Sequence, residues 1–185
     1  MEVLPIGVLV DVVNGWGSEP RAAAEEDHLP FPERSTIAGR LHTSPEVGQS
    51  LTDAALRRLA DQVYPVFLTS GNAQRAGLVT ELLTRAGARP ALVPTRDGVD
   101  EDWVVADPRR LMLGAAAVTL RRQLVDHSPA RLGTCAGVRC ADAFVDASPA
   151  GHRRFCSLTC QNRNRVAAFR RRAAAKSVAA TGAEA

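Results

Sequence analysis

The chain has 185 residues, 45% of them apolar and 23% charged, with a formal net charge of +3. That length holds one modest domain plus an appendage, and charge divides it: residues 131–185 carry 10 basic against 3 acidic residues, the first 130 carry 13 against 17. An acidic body excludes general adhesion to polyanions, so any nucleic-acid contact belongs to the basic C-terminal segment, and the longest apolar stretch, 111–120, falls far short of the ~20 residues of a membrane span.

The opening run at 3–14 is apolar and β-branched and fits either a short strand or the first turns of a buried helix. It starts without the basic region or cleavage site of a secretory signal, so a cytoplasmic protein with no membrane partner is expected. Residues 18–35, polar and with three prolines, read as a loop. A helix is expected from Ser44-Pro45, with Leu51, Ala55, Leu59 and Val63 inward and Pro65 as its end or kink. A second fits Asn72 to Ala86, with Ala76, Val79, Leu82 and Leu83 inward and Gly87 as the stop. The runs 91–94 and 102–105 flank a turn containing Gly98 and read as a hairpin. Asp107-Pro108 then opens a long helix to about Asp126, with Leu111, Ala115, Val118 and Val125 on one face.

The chain's four cysteines follow as Cys135-x4-Cys140-x15-Cys156-x3-Cys160. Two close pairs separated by a loop set four thiolates at the corners of a tetrahedron, the donor set of a closed structural zinc site, so one structural Zn2+ is expected. Disulfides are the alternative, and they require an oxidising compartment that nothing in the chain indicates. The segment around the cysteines is too small to bury a core of its own, and metal binding has to supply its folding free energy. Gly133 and Gly137 suit a tight knuckle around Cys135, and a short hairpin is expected through Cys140, Phe144 and Asp146. Ser157 is placed to cap a helix that carries Cys160 in its first turn.

Beyond the cap, 161–176 has high helix propensity. At ~100° per residue, Arg163 and Arg170 fall on one flank and Arg165 and Arg172 on the other, with Val166, Phe169 and Ala173 as an apolar stripe between them and Arg171 on the opposite edge. Two arginine rows straddling a helix match the two phosphate backbones bordering a DNA groove, while Asn162 or Asn164 could read a base edge. Arg153 and Arg154 are expected to divide their work, one gripping phosphate and the other bracing Asp146 within the finger, and the sequence does not say which. The remaining candidates are Asp11, Asn14, Trp16 and Arg40, a polar cluster that either holds a small effector or caps the opening segment. No catalytic constellation is present, and a closed four-thiolate site leaves no open coordination position, so no enzyme is expected.

The segment CAGVRCADAFVDASPAGHRRFCSLTCQNRNRVAAFRRR closely resembles the CGNR zinc finger, with Cys135, Cys140, Phe144, Asp146, Ser148, Arg153, Arg154, Cys156, Ser157, Cys160, Asn162 and Arg163 in register. Gln161 replaces the family's glycine, so that position lies in helix and needs no positive φ. The resemblance implies a mostly helical N-terminal ABATE domain before the finger and a stress-related bacterial transcription regulator. The expected fold is mainly α with some β: a helical body over 1–130 with one small hairpin, a treble-clef-like four-cysteine finger over 131–176 ending in a basic helix, and a disordered tail over 177–185. DNA is the expected partner, and the body is expected to sense an effector or to form a homodimer. The competing readings are a small-molecule sensor whose finger is only structural and a protein–protein adaptor that uses the Val166/Phe169 stripe.

Overall fold

The structure is a computed structural model that describes residues 4–40 and 51–181, with side chains through Arg172. The opening run is a helix, α1 (Ile6–Trp16), despite its β-branched residues. Tertiary burial overrides propensity here, because Val8, Leu9, Val12, Val13 and Trp16 recur at helical spacing and are all buried. Gly17 ends α1 where a β-carbon would lie 2.3 Å from the Val13 carbonyl oxygen, so only glycine fits this turn. The segment expected to be a loop begins as a second helix, α2 (Ser18–Ala24), and a short α3 (Ser35–Ala38) follows.

The expected cap at Ser44 lies outside the described residues. The described helix there, α4, spans Asp53–Leu68, with Thr52 as its cap through a hydrogen bond from the Ala55 amide. It runs three residues past Pro65, because a proline in the last turn removes a single hydrogen bond. Helix α5 (Asn72–Ala86) stops at Gly87, whose φ of 64° is the left-handed conformation expected of a C-terminal glycine. The inward face of α5 differs from expectation at one point: Ala76 is exposed, and Arg75 is buried in its place.

The hairpin pairs β1 (Ala88–Thr95) with β2 (Gly98–Val105) in antiparallel register, longer than the sequence indicated. A single 3-10 turn, Pro108–Arg110, precedes α6 (Leu111–Asp126). The buried face of α6 is built from Ala115, Ala116, Ala117, Val118 and Leu120, small enough to let α5 pack closely, whereas Val125 is exposed. Two further strands, β3 (Leu132–Thr134) and β4 (Ala143–Val145), pair antiparallel and precede α7 (Leu158–Thr181). Helix α7 thus enters the segment expected to be a disordered tail, while 182–185 lie outside the described residues. Among the described residues no helix is long and apolar enough to cross a membrane.

The core is shared along the chain. Leu132 and Ala143, from the cysteine-rich segment, belong to the same buried cluster as Trp16, Leu56, Phe67 and Leu120. Arg75 reinforces this join from inside: its guanidinium donates to the carbonyls of Val66 (3.0 Å), Thr69, Pro129 and Leu132 (3.2 Å). Two of those acceptors close the C-terminus of α4, whose last carbonyls have no partner within the helix, and two lie at the entry to β3. A fully buried cation is tolerated only with its donors satisfied, and the four carbonyls supply that.

Asn14 makes the corresponding join from α1. Its amide donates to the Ala143 carbonyl at 3.0 Å and accepts from the Ala143 amide at 2.8 Å, acting as a strand partner for the free edge of β4. Replacing Asn14 by Ala leaves a part-buried backbone pair unmatched, and the zinc-loaded protein is expected to lose ~1–3 kcal/mol in denaturant unfolding. An unchanged unfolding midpoint would show that β4 sits on α1 without this bond.

Candidate metal centre

Strand β3 delivers the chain to Cys135, and the return to β4 passes Cys140. Between them the backbone reverses sharply: Arg139 has φ 57°, and the Cys135 amide donates to the Asp142 carbonyl at 2.8 Å. At Gly137 a side chain would be crowded, since a β-carbon there would lie 3.3 Å from Cys135 Sγ and 3.4 Å from Cys160 Cβ. The second pair arrives from the far side of the hairpin. Cys156 follows a loop stitched to the knuckle by the Ala136 amide, which donates to the Arg154 carbonyl at 2.9 Å. Cys160 sits in the first turn of α7, where its amide donates to the Ser157 hydroxyl at 3.2 Å, the cap expected from the sequence.

All four sulfurs lie within 4.8 Å of one another, and Cys156 Sγ is 3.6 Å from Cys140 Sγ and 3.5 Å from Cys160 Sγ. Zn–S bonds of ~2.3 Å in a tetrahedron place sulfurs about 3.8 Å apart, so these separations fit a zinc ion. They are far beyond the ~2.05 Å of a disulfide, and the four cysteines are free. The Cys156 amide also points at Cys135 Sγ at 3.3 Å, a contact that helps a thiolate bear its charge. The donor set is complete and soft, and it forms a site for one structural zinc ion held by Cys135, Cys140, Cys156 and Cys160.

In the metal-free protein, burial, with the Asp142 carboxylate adding to it, pushes the Cys140 thiol up to about 12. Burial and the same carboxylate raise Cys156 further. Such thiols hold their protons at neutral pH, so binding zinc must displace protons, and acidification favours the metal-free form.

Asp146 organises the loop between β4 and Cys156. Its carboxylate accepts from the Ser148 amide and the Arg153 amide, each at 2.8 Å, while Arg131 donates to the Asp146 and Ser148 carbonyls at 2.8 and 2.6 Å. The Ser148 side chain and these amides hold the Asp146 carboxyl down to about 2. A carboxyl depressed on folding stabilises the protein above its unfolded pKa of ~3.9, and that stabilisation is lost as pH falls through about 2. The gap in urea midpoint between wild type and Asp146→Asn is therefore expected to be widest at neutral pH and to narrow between about pH 4 and 2. A gap independent of pH would place Asp146 outside the stabilising set.

The two loop arginines separate clearly. Arg153, though exposed, is engaged within the finger: its guanidinium donates to the Phe155 carbonyl at 2.7 Å and to the Cys156 carbonyl, and it lies 5.3 Å from the centre of the Phe144 ring. It braces the loop, though it meets Asp146 through its backbone amide. The Arg154 side chain is exposed. On α7, Asn162, Arg163, Arg165, Arg170, Arg171 and Arg172 are exposed and Asn164 is half-buried. Gln161 is helical, as the absence of glycine implied.

Asp11, Asn14, Trp16 and Arg40 do not converge on one opening. Asp11 and Arg40 form an exposed ion pair, Trp16 is buried with its indole N–H donating to Asp53 at 3.0 Å, and Asn14 is bound to β4. Trp16 and Asn14 thus tie α1 to α4 and β4. What sequence reasoning missed was Arg75, hidden as one more charged residue on a helix, and Tyr64, whose hydroxyl donates to the Ala141 carbonyl at 2.9 Å beside the metal site. Burial and nearby Glu19 and Asp142 push the Tyr64 hydroxyl up to about 12, so it remains a donor.

No curated protein matches this chain at a significant level. Residues 131–173, which contain all four metal-binding cysteines, Asp146 and the start of the arginine helix, match the CGNR zinc finger family.

Proposed function

We propose that the protein is a non-enzymatic, zinc-dependent DNA-binding protein, a cytoplasmic transcription regulator whose α7 lies against the phosphate backbones of duplex DNA. One observation carries the reading: Arg163, Arg165, Arg170, Arg171 and Arg172 are all exposed on a helix with no acidic residue, and none of them is in an ion pair among the described residues. An ordinary solvated helix intersperses opposite charges, whereas this one concentrates a single sign. The zinc site fixes the first turn of α7 through Cys160, and Arg154 stands exposed at the same end. The remainder of α7 projects with Val166 and Phe169 uncovered at 49% and 67% exposure.

Arginines would position the helix on phosphates, and Asn162 or Asn164, within the first two turns past Cys160, could reach a base edge. The family match at 131–173 supports this reading, as does the +7 charge of residues 131–185. Within it, an ABATE-type body and a stress-response role for the regulator remain parts of the same proposal. The test is the salt dependence of duplex binding by wild type and by Arg163→Ala/Arg170→Ala. The exposed Phe169 favours an adaptor as the second reading, which the same titration separates, because an apolar contact has little salt slope.

A further inference from the structure

A groove of about 1130 Å³ opens on the body between the N-terminal half of α4 and the start of α6, away from the residues first considered for a ligand. Its walls combine two chemistries. Leu59, Leu111 and Met112 give an apolar floor, and Arg58, Arg85, Arg109 and Arg110 stand around it with no Asp or Glu among the described lining residues. Arg85 and Arg110 are partly engaged, with Glu81 at 3.9 Å and Asp107 at 3.4 Å, while Arg58 and Arg109 form no ion pair or side-chain hydrogen bond among the described residues. The two carboxylates of α4 are engaged elsewhere, Asp53 with Trp16 and Arg34 and Asp61 with Ser18 and Arg57.

The backbone adds to the same sign. Thr52 and Ala55 bring the N-terminus of α4 to the groove, and Leu111 and Met112 bring that of α6, so two helix ends with positive dipoles face one opening. Four guanidinium groups raise the local potential at some cost in mutual repulsion, which a bound anion relieves. A bare inorganic ion would leave the leucine and methionine surface uncovered, and a neutral apolar molecule would leave the arginines unmatched.

The geometry points to a binding site for a small amphipathic anion, a carboxylate or phosphate headgroup on an apolar chain, with Arg58 and Arg109 as its principal charge partners. The site is separate from α7 and does not depend on the DNA reading.

Titration calorimetry of the zinc-loaded, full-length protein with octanoate, octyl phosphate, octanol and inorganic phosphate tests it. One site per chain is expected for octanoate or octyl phosphate, the tighter of the two identifying the headgroup, with octanol and inorganic phosphate weaker by at least ~10-fold. Arg58→Gln/Arg109→Gln is expected to weaken the tighter ligand by at least ~10-fold, and Ala55→Phe, which keeps the charges and fills the groove, to do the same. Equal binding of octanol, or unchanged binding by both variants, overturns the proposal. So does a double variant that loses affinity for duplex DNA while its octanoate binding is unaltered, since the groove would then be an extension of a phosphate-contacting face.

Discussion

Removing zinc is expected to unfold the cysteine-rich segment and to lower the thermal stability of the whole protein with it. Structural zinc supplies an apparent ~10–16 kcal/mol in finger-sized peptides, and residues 131–160 bury few large side chains of their own. Their large buried side chains are Leu132 and Phe144. The effect should spread because the body uses this segment. Asn14 is bonded to Ala143, Tyr64 to Ala141, and Arg75 to Pro129 and Leu132. Loss of the finger would strand a buried guanidinium with half its acceptors, a penalty of the kind that costs several kcal/mol. The measurement is metal content together with thermal melting before and after a strong chelator, and again for Cys156→Ser. One zinc per chain is expected before chelation, and a large fall in melting temperature is expected after it and for Cys156→Ser. A chelated protein that melts like the untreated one would mean that the sulfurs do not depend on a metal.

Loss of two α7 arginines is expected to weaken duplex binding strongly and to flatten its dependence on salt. Each phosphate neutralised contributes ~0.9 to the slope of log K against log[salt], so Arg163→Ala/Arg170→Ala should reduce the slope by about 1.8. The pair is chosen from one flank of the helix, and both side chains are exposed, so folding and zinc content should be unaffected. Arg153→Ala differs in kind: its guanidinium holds the Phe155 and Cys156 carbonyls, so its first effect should be on the finger's stability. A salt slope that the double variant leaves unchanged would remove α7 from the phosphate contact.

Local signals carried much of the organisation. The cysteine spacing announced a zinc site because donor chemistry and chain reach leave few other uses for two close thiol pairs, and the four sulfurs do gather. Gly87, Ser157 and the turn at Gly98 were legible because each acts within a few residues of itself. Ambiguity at the opening run was equally physical. Its buried residues do recur at helical spacing, but Ile6 and Val10 between them are also apolar and blur that period in the sequence, and the face is buried where α4 packs along it.

The sequence alone determined the metal ligands, the helix that follows them and the concentration of arginine on that helix, since all three depend on neighbours in the chain. Tertiary structure decided which polar residues are internal fastenings. Arg75 and Asn14 look in sequence like any exposed polar side chain, and their partners lie up to 129 residues away. It also decided where positive charge is left unmatched, because Arg58 on α4 and Arg109 before α6 share a groove only after those helices meet. Spacing encodes local bonds, whereas burial and charge compensation exist only once distant segments have removed water from between them.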